Sequence, residues 1–256
     1  IDLNTKSSVK NSQMRQAAQL DKQNIFNNIR VVLCQTSHPG NIGSAARAMK
    51  TMGLQHLYLV NPLHFPDPQA TSLATGAADL LESATVCGSL SEALTGCAFA
   101  IGMSARKRQI THELVNVREG ASRAVQIAAN QPIALVFGTE MSGLSNAELD
   151  CCQLLAMIPA NPEYSSLNLA AAVQVMSYEI RMAITEGALE VDSTATELAT
   201  NEALEGFYAH LEDTLIKIGY LNPSAPKKLS ERIRRIYARA RLEKEEVNLL
   251  RGILTL

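Results

Sequence analysis

The sequence predicts an α/β fold: a parallel sheet with helices on both faces, followed by a small helical extension. Between residues 29 and 185, short apolar runs alternate with segments whose apolar residues recur at helical spacing. Gly, Pro and Asn mark the turns between many of these segments. Strands that alternate with helices form parallel sheets, because each helix returns the chain across the face of the sheet. We therefore predict one α/β domain over residues 29–185.

The elements of this domain can be predicted in the order of the chain. Residues 1–28 are polar and without sustained periodicity, which is typical of a flexible N-terminal arm. Short apolar runs then predict strands at residues 29–35, 57–60, 98–103, 133–137 and 154–158. Helical spacing predicts helices at residues 41–52, 70–81, 90–94, 117–129, 145–150 and 166–183.

A helical extension is predicted to follow the α/β domain. Residues 186–201 are polar and typical of a linker, and apolar stripes at helical spacing predict helices within residues 202–256. Charge is unevenly distributed here. Residues 186–213 contain acids but no Lys or Arg, whereas residues 227–251 contain nine Lys or Arg and four acids. A basic patch of this kind is compatible with a polyanionic partner.

Composition limits the classes of protein to be considered. Of the 256 residues, 46% are hydrophobic and 19% are charged, as in an ordinary globular protein. No apolar run approaches the roughly 20 residues of a membrane span. The first residues lack the apolar core of a signal peptide, so we expect a cytoplasmic protein without membrane contact. The five cysteines and five histidines show no metal-ligand spacing, and we expect neither a metal site nor a disulfide framework.

The turns after the predicted strands form the candidate site, because open α/β sheets bind ligands at the carboxyl ends of their strands. These turns contain Asn41-x-Gly43-x-x-x-Arg47, Gly102-Met103-Ser104-Ala105-Arg106, FGTEMSGLS at residues 137–145 and a polar run at residues 159–168. Neither GxGxxG nor GxxxxGK[ST] occurs, so the dinucleotide and P-loop fingerprints are missing. Each turn alone is a weak signal, because a glycine after a strand is most often only part of a turn.

Taken together and in this order, the motifs resemble a known family. NIGSAAR, LVFGTEMSGLS and the IP…YSSLNLAAAVQVMSYE run are similar to the three motifs of the SPOUT superfamily, specifically its TrmH-type branch of RNA ribose 2′-O-methyltransferases. The resemblance covers about residues 29–183. TSHPGNIGSAARAMKTMGL, LVNP and ANPEYSSLNLA place it nearest to enzymes that methylate cytidine or uridine at position 32 of the tRNA anticodon loop.

The resemblance implies a fold, a cofactor and a set of site residues. The fold would contain a C-terminal trefoil knot, which general folding rules alone would not suggest. The cofactor would be S-adenosylmethionine, held in a cup formed by converging loops, with no metal required for the chemistry. The implied cofactor contacts are Met103, Ser104, Ala105, Gly138, Ile158, Ser166, Leu167, Asn168 and Leu169.

Catalysis is assigned by the same resemblance to Arg47, with Asn41 and Ser166 fixing the hydroxyl and the arginine. A guanidinium is hard to deprotonate, so we expect Arg47 to orient the nucleotide phosphate and to stabilise developing alkoxide charge. Glu140 could either hydrogen-bond in the same cup or satisfy loop amides. The expected tRNA contacts are the basic residues Arg106, Lys107, Arg108, Arg232, Arg235 and Arg239.

The family also dimerises, and we expect a homodimer through the helices predicted at residues 41–52 and 166–183. Their outer faces are expected to carry Met49, Met52, Val175 and Met176. Three alternatives remain open from the sequence. They are the same chemistry on another tRNA nucleoside or on ribosomal RNA, an RNA-binding module that has lost catalysis, and a small-molecule α/β enzyme.

Overall fold

A parallel sheet of seven strands forms the centre of the part of the chain that the structure describes. The computed structural model describes residues 22–105, 113–186, 196–226 and 228–255. The strand order is β3-β2-β1-β6-β4-β7-β5, and every ladder is parallel. The strands are β1 (Ile29–Cys34), β2 (His56–Val60), β3 (Thr85–Cys87), β4 (Phe99–Met103), β5 (Leu114–Asn116), β6 (Ile133–Phe137) and β7 (Leu154–Met157).

Helices cover both faces of this sheet. In chain order they are residues 22–27 (α1), α2 (Pro39–Met52), α3 (Pro68–Ala74), α4 (Ala78–Glu82), α5 (Leu90–Ala93), α6 (Val117–Ala128), α7 (Asn146–Asp150) and α8 (Leu169–Glu186). Successive side chains of β1 point to opposite faces, so Val31 and Leu33 join the core under α2, α6 and α8. Val32 and Cys34 join the second core, under α5 and α7. The predicted α/β class, with helices on both faces, is therefore confirmed.

Helix α2 illustrates how the sequence positions an element beside the site. His38 precedes the helix in an extended conformation and accepts a hydrogen bond from Gly40 N, and Pro39 occupies the first turn. The helix ends at Gly53, whose φ of 88° is readily adopted by glycine. Gly43 lies against α3, where a Cβ atom would be 2.0 Å from the Ala70 carbonyl oxygen. A larger residue at position 43 would therefore separate α2 from α3.

Several predicted element boundaries differ from the structure. The helix expected at residues 70–81 is divided into α3, a 3-10 turn at Thr75–Ala77 and α4, because Thr75 adopts a positive φ of 52°. Strands β3 and β5 were not predicted at all. Each contains only three residues, which is too short for a periodic pattern, and each lies at an edge of the sheet. Pairing with a neighbour, which local sequence does not reveal, makes them strands.

The predicted N-terminal arm is wrong for residues 22–28. Residues 22–27 are helical, and the side chains of Ile25 and Phe26 are buried in the main core. Asn28 then donates a hydrogen bond to the Ala128 carbonyl at 2.9 Å. Two large apolar side chains in an otherwise polar segment are sufficient to anchor it, because each removes a large apolar area from water. Residues 1–21 lie outside the described residues.

The extension consists of helices α9 (Asn201–Lys217), α10 (Leu229–Ala240) and α11 (Lys244–Ile253), as the apolar stripes predicted. It has its own small core, to which Leu204, Phe207 and Val247 belong. Residues 196–201, expected to be linker, pack against the sheet domain through reciprocal hydrogen bonds between Leu198 and the Gln131 side chain. The rest of the predicted linker, residues 187–195, lies outside the described part.

Two residues expected on outer helix faces are instead in the interior. Met49 and Met176 are fully buried in the monomer core, whereas Met52 and Val175 are half-buried. Helix α2 packs closely on α8, so two of the apolar residues expected at a dimer interface are covered within one chain. Among the described helices, none combines the length and apolar character needed to cross a membrane.

Candidate functional site

A cavity of about 320 Å³ lies at the carboxyl ends of β6, β4 and β7, which are neighbours in the sheet. This is the edge at which open α/β sheets bind ligands. The lining residues come from the segment after β4, the β6–α7 loop and the β7–α8 loop. They are Met103, Ser104, Ala105, Phe137, Gly138, Thr139, Glu140, Met141, Ser142, Gly143, Leu144, Leu149, Ile158, Glu163, Tyr164, Ser165, Ser166, Leu167, Leu169 and Ala172.

Most of the predicted cofactor residues meet at this cavity. Those that line it are Met103, Ser104, Ala105, Gly138, Ile158, Ser166, Leu167 and Leu169. Asn168 does not line it but lies between Leu167 and Leu169, and its side chain points to α2. Three chain segments that are far apart in sequence are thus brought together as the motifs predicted.

Gly138 allows the β6–α7 loop to fold tightly against the cavity. A Cβ atom there would be 2.1 Å from the Gly143 carbonyl carbon and 2.2 Å from Leu144 N, both backbone atoms. Thr139 and Gly143 form an antiparallel bridge across the same turn. Because backbone atoms cannot move aside as a side chain can, position 138 requires glycine.

Glu140 connects the β6–α7 loop to the start of α2. One carboxylate oxygen accepts from Ser37 N at 3.2 Å and Ser37 Oγ at 3.0 Å. The other accepts from His38 N at 3.2 Å and Asn41 Nδ2 at 2.9 Å. Of the two roles considered for Glu140, both occur: it lines the cavity and it satisfies loop amides.

The hydrogen bonds around Glu140 also set its charge. Partial burial acts to raise the pKa of Glu140, but the donors, with the Asn41 amide first and the backbone N–H groups after it, outweigh burial and lower the pKa below its ordinary value. The carboxylate is therefore ionised at neutral pH. It accepts hydrogen bonds and has no proton to donate.

Asn41 extends the hydrogen-bonded connection from Glu140 to α8. Its Oδ1 accepts from Asn168 Nδ2 at 2.9 Å. Asn168 Oδ1 in turn accepts from Ala170 N at 2.9 Å and Ala171 N at 3.4 Å, which caps the first turn of α8. The sequence did not reveal that Asn41 and Asn168 are hydrogen-bond partners.

The three predicted catalytic residues are not equivalent in the structure. Ser166 lines the cavity. Asn41 lies behind the lining, with its amide engaged on both sides by Glu140 and Asn168. Arg47 is exposed on α2, does not line the cavity, and makes no hydrogen bond or ion pair with another described residue. The structure thus leaves the Arg47 side chain free to meet a ligand from solvent.

Three residues missed by the sequence analysis stand at the mouth of the cavity. Tyr164 is 79% exposed and Met141 is 94% exposed, although both line the cavity. Glu163 lies beside Tyr164, in a turn where Asn161 Oδ1 accepts from Glu163 N at 3.1 Å. An aromatic residue within the polar run at 159–168 was the available signal for Tyr164.

The predicted RNA-binding residues have different surroundings. Arg232 and Arg239 are exposed on α10. Arg235 is half-buried, and its Nε donates to the Glu231 carbonyl at 3.2 Å. Arg106, Lys107 and Arg108 lie outside the described residues. Within the described ranges, no group of three or more His, Cys, Asp or Glu side chains could hold a metal ion.

Comparison with known proteins gives the family. Residues 28–178 match the SpoU rRNA Methylase family, and residues 202–256 match the C-terminal domain of the tRNA methyltransferase TrmJ. The chain is 51% identical over 241 residues to the tRNA (cytidine/uridine/adenosine-2′-O-)-methyltransferase TrmJ of Pseudomonas aeruginosa (strain UCBPP-PA14), covering 90% of this chain and 94% of that protein. It is 49% identical over 233 residues to the tRNA (cytidine/uridine-2′-O-)-methyltransferase TrmJ of Escherichia coli (strain K12), covering 90% and 95%.

Solved structures agree with this result. The crystal structure of TrmJ from Z. mobilis ZM4 superimposes with a TM-score of 0.79 at 31% identity, covering 88% of this chain and 97% of that one. A probable methylase family protein from Haemophilus influenzae Rd KW20 gives a TM-score of 0.60 at 43% identity, covering 89% and 94%.

The sheet and its cavity define an α/β protein with a cavity at the carboxyl edge of its central strands. The chain belongs to the SpoU rRNA methylase family, and its C-terminal helices match the TrmJ C-terminal domain. This confirms the resemblance to TrmH-type RNA methyltransferases that the three motifs suggested.

Proposed function

We propose that this protein transfers the methyl group of S-adenosylmethionine to the ribose 2′-hydroxyl of a cytidine or uridine in tRNA, at position 32 of the anticodon loop. The observation that carries the proposal is the convergence of the second and third motif segments and the turn after β4 on one cavity. The first motif is hydrogen-bonded to both of the other motifs through Asn41. The TrmJ relatives, named as tRNA cytidine/uridine 2′-O-methyltransferases, support the choice of tRNA. The C-terminal match to a TrmJ domain supports it independently, because it lies outside the methylase domain.

The cavity suits S-adenosylmethionine in size and chemistry. Its volume of about 320 Å³ lies in the range of small-molecule sites. Met103, Leu144 and Leu169 offer apolar walls, while Ser104 and Thr139 offer polar atoms. When bound, the cofactor supplies an electrophilic methyl group on a sulfonium. The protein must hold it, position the ribose 2′-oxygen and stabilise the charge that develops there as the hydroxyl proton passes to solvent.

Arg47 and Ser166 are the residues proposed to act on the ribose. Ser166 lines the cavity, and the exposed Arg47 extends from α2, whose first turn is joined to the same site through Asn41. A guanidinium is hard to deprotonate near neutral pH, so Arg47 acts as a cation that orients a phosphate and stabilises negative charge developing on the 2′-oxygen. Asn41 contributes by holding the loops, since its amide is already engaged.

The RNA is proposed to lie across the cavity mouth and helix α10. Arg232, Arg235 and Arg239 supply phosphate contacts there, and Arg106, Lys107 and Arg108 supply further positive charge. The exposed ring of Tyr164 offers a surface on which an unpaired base can stack. Anticodon-loop nucleotides are unpaired, so their bases are accessible to such a ring.

The remaining parts of the proposal follow from family membership. We propose a homodimer, a C-terminal trefoil knot and a cytoplasmic location, and chemistry that requires no metal. A homodimer would present two α10 helices to one tRNA, which enlarges the basic surface. The half-buried Met52 and Val175 are the apolar residues left for such an interface, since Met49 and Met176 are internal.

A methylation assay on single tRNA transcripts tests the proposal. Transcripts with cytidine or uridine at position 32 are incubated with the protein and tritiated S-adenosylmethionine in excess chelator, and the modified nucleotide is mapped. We expect label at position 32 and none in a matched transcript with a 2′-deoxyribose there. Label in ribosomal RNA alone, or at another tRNA nucleotide, would show that the assigned substrate is wrong. Cofactor binding without transfer to any RNA would indicate a non-catalytic module.

A further inference from the structure

Two side-chain hydrogen bonds connect the β6–α7 loop to the β7–α8 loop, and both loops line the cavity. The side chains that form them belong to Glu140, Asn41 and Asn168. Glu140 lies in the β6–α7 loop, Asn41 in the first turn of α2, and Asn168 at the start of α8. Glu140 itself lines the cavity, as do Leu167 and Leu169 on either side of Asn168. The chain of hydrogen bonds therefore sets the separation of the two walls between which the methyl donor is proposed to bind.

The charge of Glu140 determines the orientation of both amides. A carboxylate only accepts hydrogen bonds, so it must face the NH2 group of Asn41. The Asn41 oxygen then faces Asn168, whose NH2 group must donate to it. This leaves the Asn168 oxygen facing the N–H groups of Ala170 and Ala171. The backbone N–H groups of α8 are donors, and Glu140 is an acceptor. The two amides between them therefore have only one pair of orientations that satisfies every hydrogen bond.

We propose that Glu140 is a positioning residue for methyl transfer, which fixes the amides of Asn41 and Asn168 and so holds the β7–α8 loop in place for the methyl donor. The inference rests on the proposed function for the identity of that donor. Glu140 is not a general base, because its two oxygens already accept four hydrogen bonds, from Ser37, His38 and Asn41. A carboxylate has about four acceptor positions, so none remains for a substrate hydroxyl.

Glu140→Gln disrupts this arrangement with almost no change of shape. The new NH2 group must replace one of the two oxygens. In one position it faces the N–H of Ser37, and in the other it faces His38 N and the NH2 group of Asn41. Either way, donors oppose each other, and a partly buried donor loses its acceptor. Asn41 can then rotate its amide, which turns its NH2 group toward that of Asn168.

Asn41→Asp combined with Glu140→Gln restores the hydrogen bonds from position 140 through position 41 to Asn168, and leaves only His38 N without its acceptor. The glutamine NH2 donates to the new carboxylate at position 41, and that carboxylate also accepts from Asn168 Nδ2. The single variant Asn41→Asp instead places two carboxylates against each other, which is unfavourable. A coupled pair of side chains is expected to show non-additive effects, whereas two independent structural lesions add.

The test is calorimetric titration of S-adenosylmethionine into the unmodified 256-residue chain and the three variants, without RNA. We expect each single variant to bind about tenfold more weakly or worse, on the scale of one lost hydrogen bond to a charged group. The double variant should bind more tightly than either single variant. Glu119→Gln, which removes a surface ion pair with Arg123 on α6, is the matched control and should bind as the unmodified protein does.

Three results would overturn the inference. They are undiminished cofactor binding by Glu140→Gln, a double variant whose loss equals the sum of the two single losses, and a loss of equal size in Glu119→Gln. If Glu140→Gln does not fold, the test is the comparison of Asn41→Asp with the double variant, and failure of the second change to improve binding overturns the inference. Failure of the unmodified protein to bind S-adenosylmethionine would instead overturn the proposed function, because it involves no change at Glu140.

Discussion

The side-chain NH2 group of Asn168 donates to Oδ1 of Asn41 at 2.9 Å, although 127 positions separate the two residues in sequence. This bond joins the start of α8 to the first turn of α2. It links the first and third sequence motifs directly, while Glu140 links the second motif to the same asparagine. The three motifs therefore form one hydrogen-bonded structure, and the second and third motifs also line the cavity.

Asn168→Ala is expected to weaken S-adenosylmethionine binding. The substitution removes both the bond to Asn41 and the cap of α8, and an N-cap contributes about 1 kcal/mol to stability. Displacement of the adjacent wall should lower cofactor affinity on the order of tenfold. Asn116→Ala is a matched control, because Asn116 caps α6 through Glu119 N and does not line the cavity. It should reduce thermal stability to a similar extent without changing the calorimetric affinity, and equal affinity losses in both variants would contradict the assignment.

Arg47→Ala is expected to keep the fold and the cofactor affinity while losing methyl transfer. Arg47 is exposed and outside the described cavity lining, so its removal should not disturb binding. Loss of one preorganised charge-stabilising donor should reduce the transfer rate by about a hundredfold or more. Arg47→Lys should restore little, because an ammonium lacks the planar fork of donors. Titration calorimetry beside a tritium-transfer assay separates the two effects. A parallel collapse of cofactor affinity would make Arg47 a binding or structural residue.

Gly138→Ala is expected to destabilise the protein and to distort the cavity. The added methyl group would collide with backbone atoms of Gly143 and Leu144. Overpacking of this kind costs about 1–3 kcal/mol. Gly76→Ala is the control, because nothing lies within 4 Å of a Cβ atom there. Urea unfolding should show a clear loss for the first variant and little change for the second. Equal unfolding midpoints for Gly138→Ala and the unmodified protein would show that the loop can relax.

The double substitution of Arg232 and Arg239 by alanine is expected to weaken tRNA binding. Both side chains are exposed on α10, and each phosphate contact that is removed lowers the slope of log affinity against log salt by about 0.7–0.9. Cofactor titration should be unchanged. Lys217→Ala removes a positive charge elsewhere in the extension, where Lys217 pairs with Asp213, and serves as the control. Filter binding at several salt concentrations measures both slopes. An unchanged slope in the double variant would show that these α10 arginines do not contact the RNA.

The contribution of Glu140 to stability should depend on pH. Its hydrogen bonds lower its pKa in the folded protein below the ordinary value of 4.5. The folded state therefore binds the proton more weakly than the unfolded state, and the stabilisation is fully present above pH 4.5 and is lost as pH falls through the lower, folded pKa. The difference in unfolding free energy between the unmodified protein and Glu140→Gln should be constant from about pH 6 to 8 and shrink in acid. A difference that grows in acid would mean that the carboxylate is protonated when folded.

Local patterns were sufficient to predict most of the α/β domain. Strands β4 and β6 are buried on both sides, so each appears as an uninterrupted apolar run, and β1 is interrupted only by the half-buried Arg30. Helices α6 and α8 combine helical spacing with an asparagine at the start, as at Asn116 and Asn168. The extension helices were equally clear. In these segments, the environment of each residue is set mainly by neighbours a few positions away.

The motif residues of the cavity were also predicted from sequence, although only through resemblance to a family. A turn such as FGTEMSGLS has no period from which a ligand could be inferred. Its order relative to NIGSAAR and YSSLNLA was the informative feature. Tyr164 and Met141 were missed because exposure at a cavity mouth depends on where two separate loops end.

Tertiary packing was needed for the features that depend on distant segments. The expected dimer assigned Met49 and Met176 to outer faces, but the contact of α2 with α8 buries them. Ile25 and Phe26 stand in a polar segment, yet the core accepts both. The pairing of Asn41 with Asn168 depends on how α2 and the β7–α8 loop meet. Periodicity records the preferred faces and conformations of a segment, whereas the partner of a polar side chain is set by packing between segments remote in sequence.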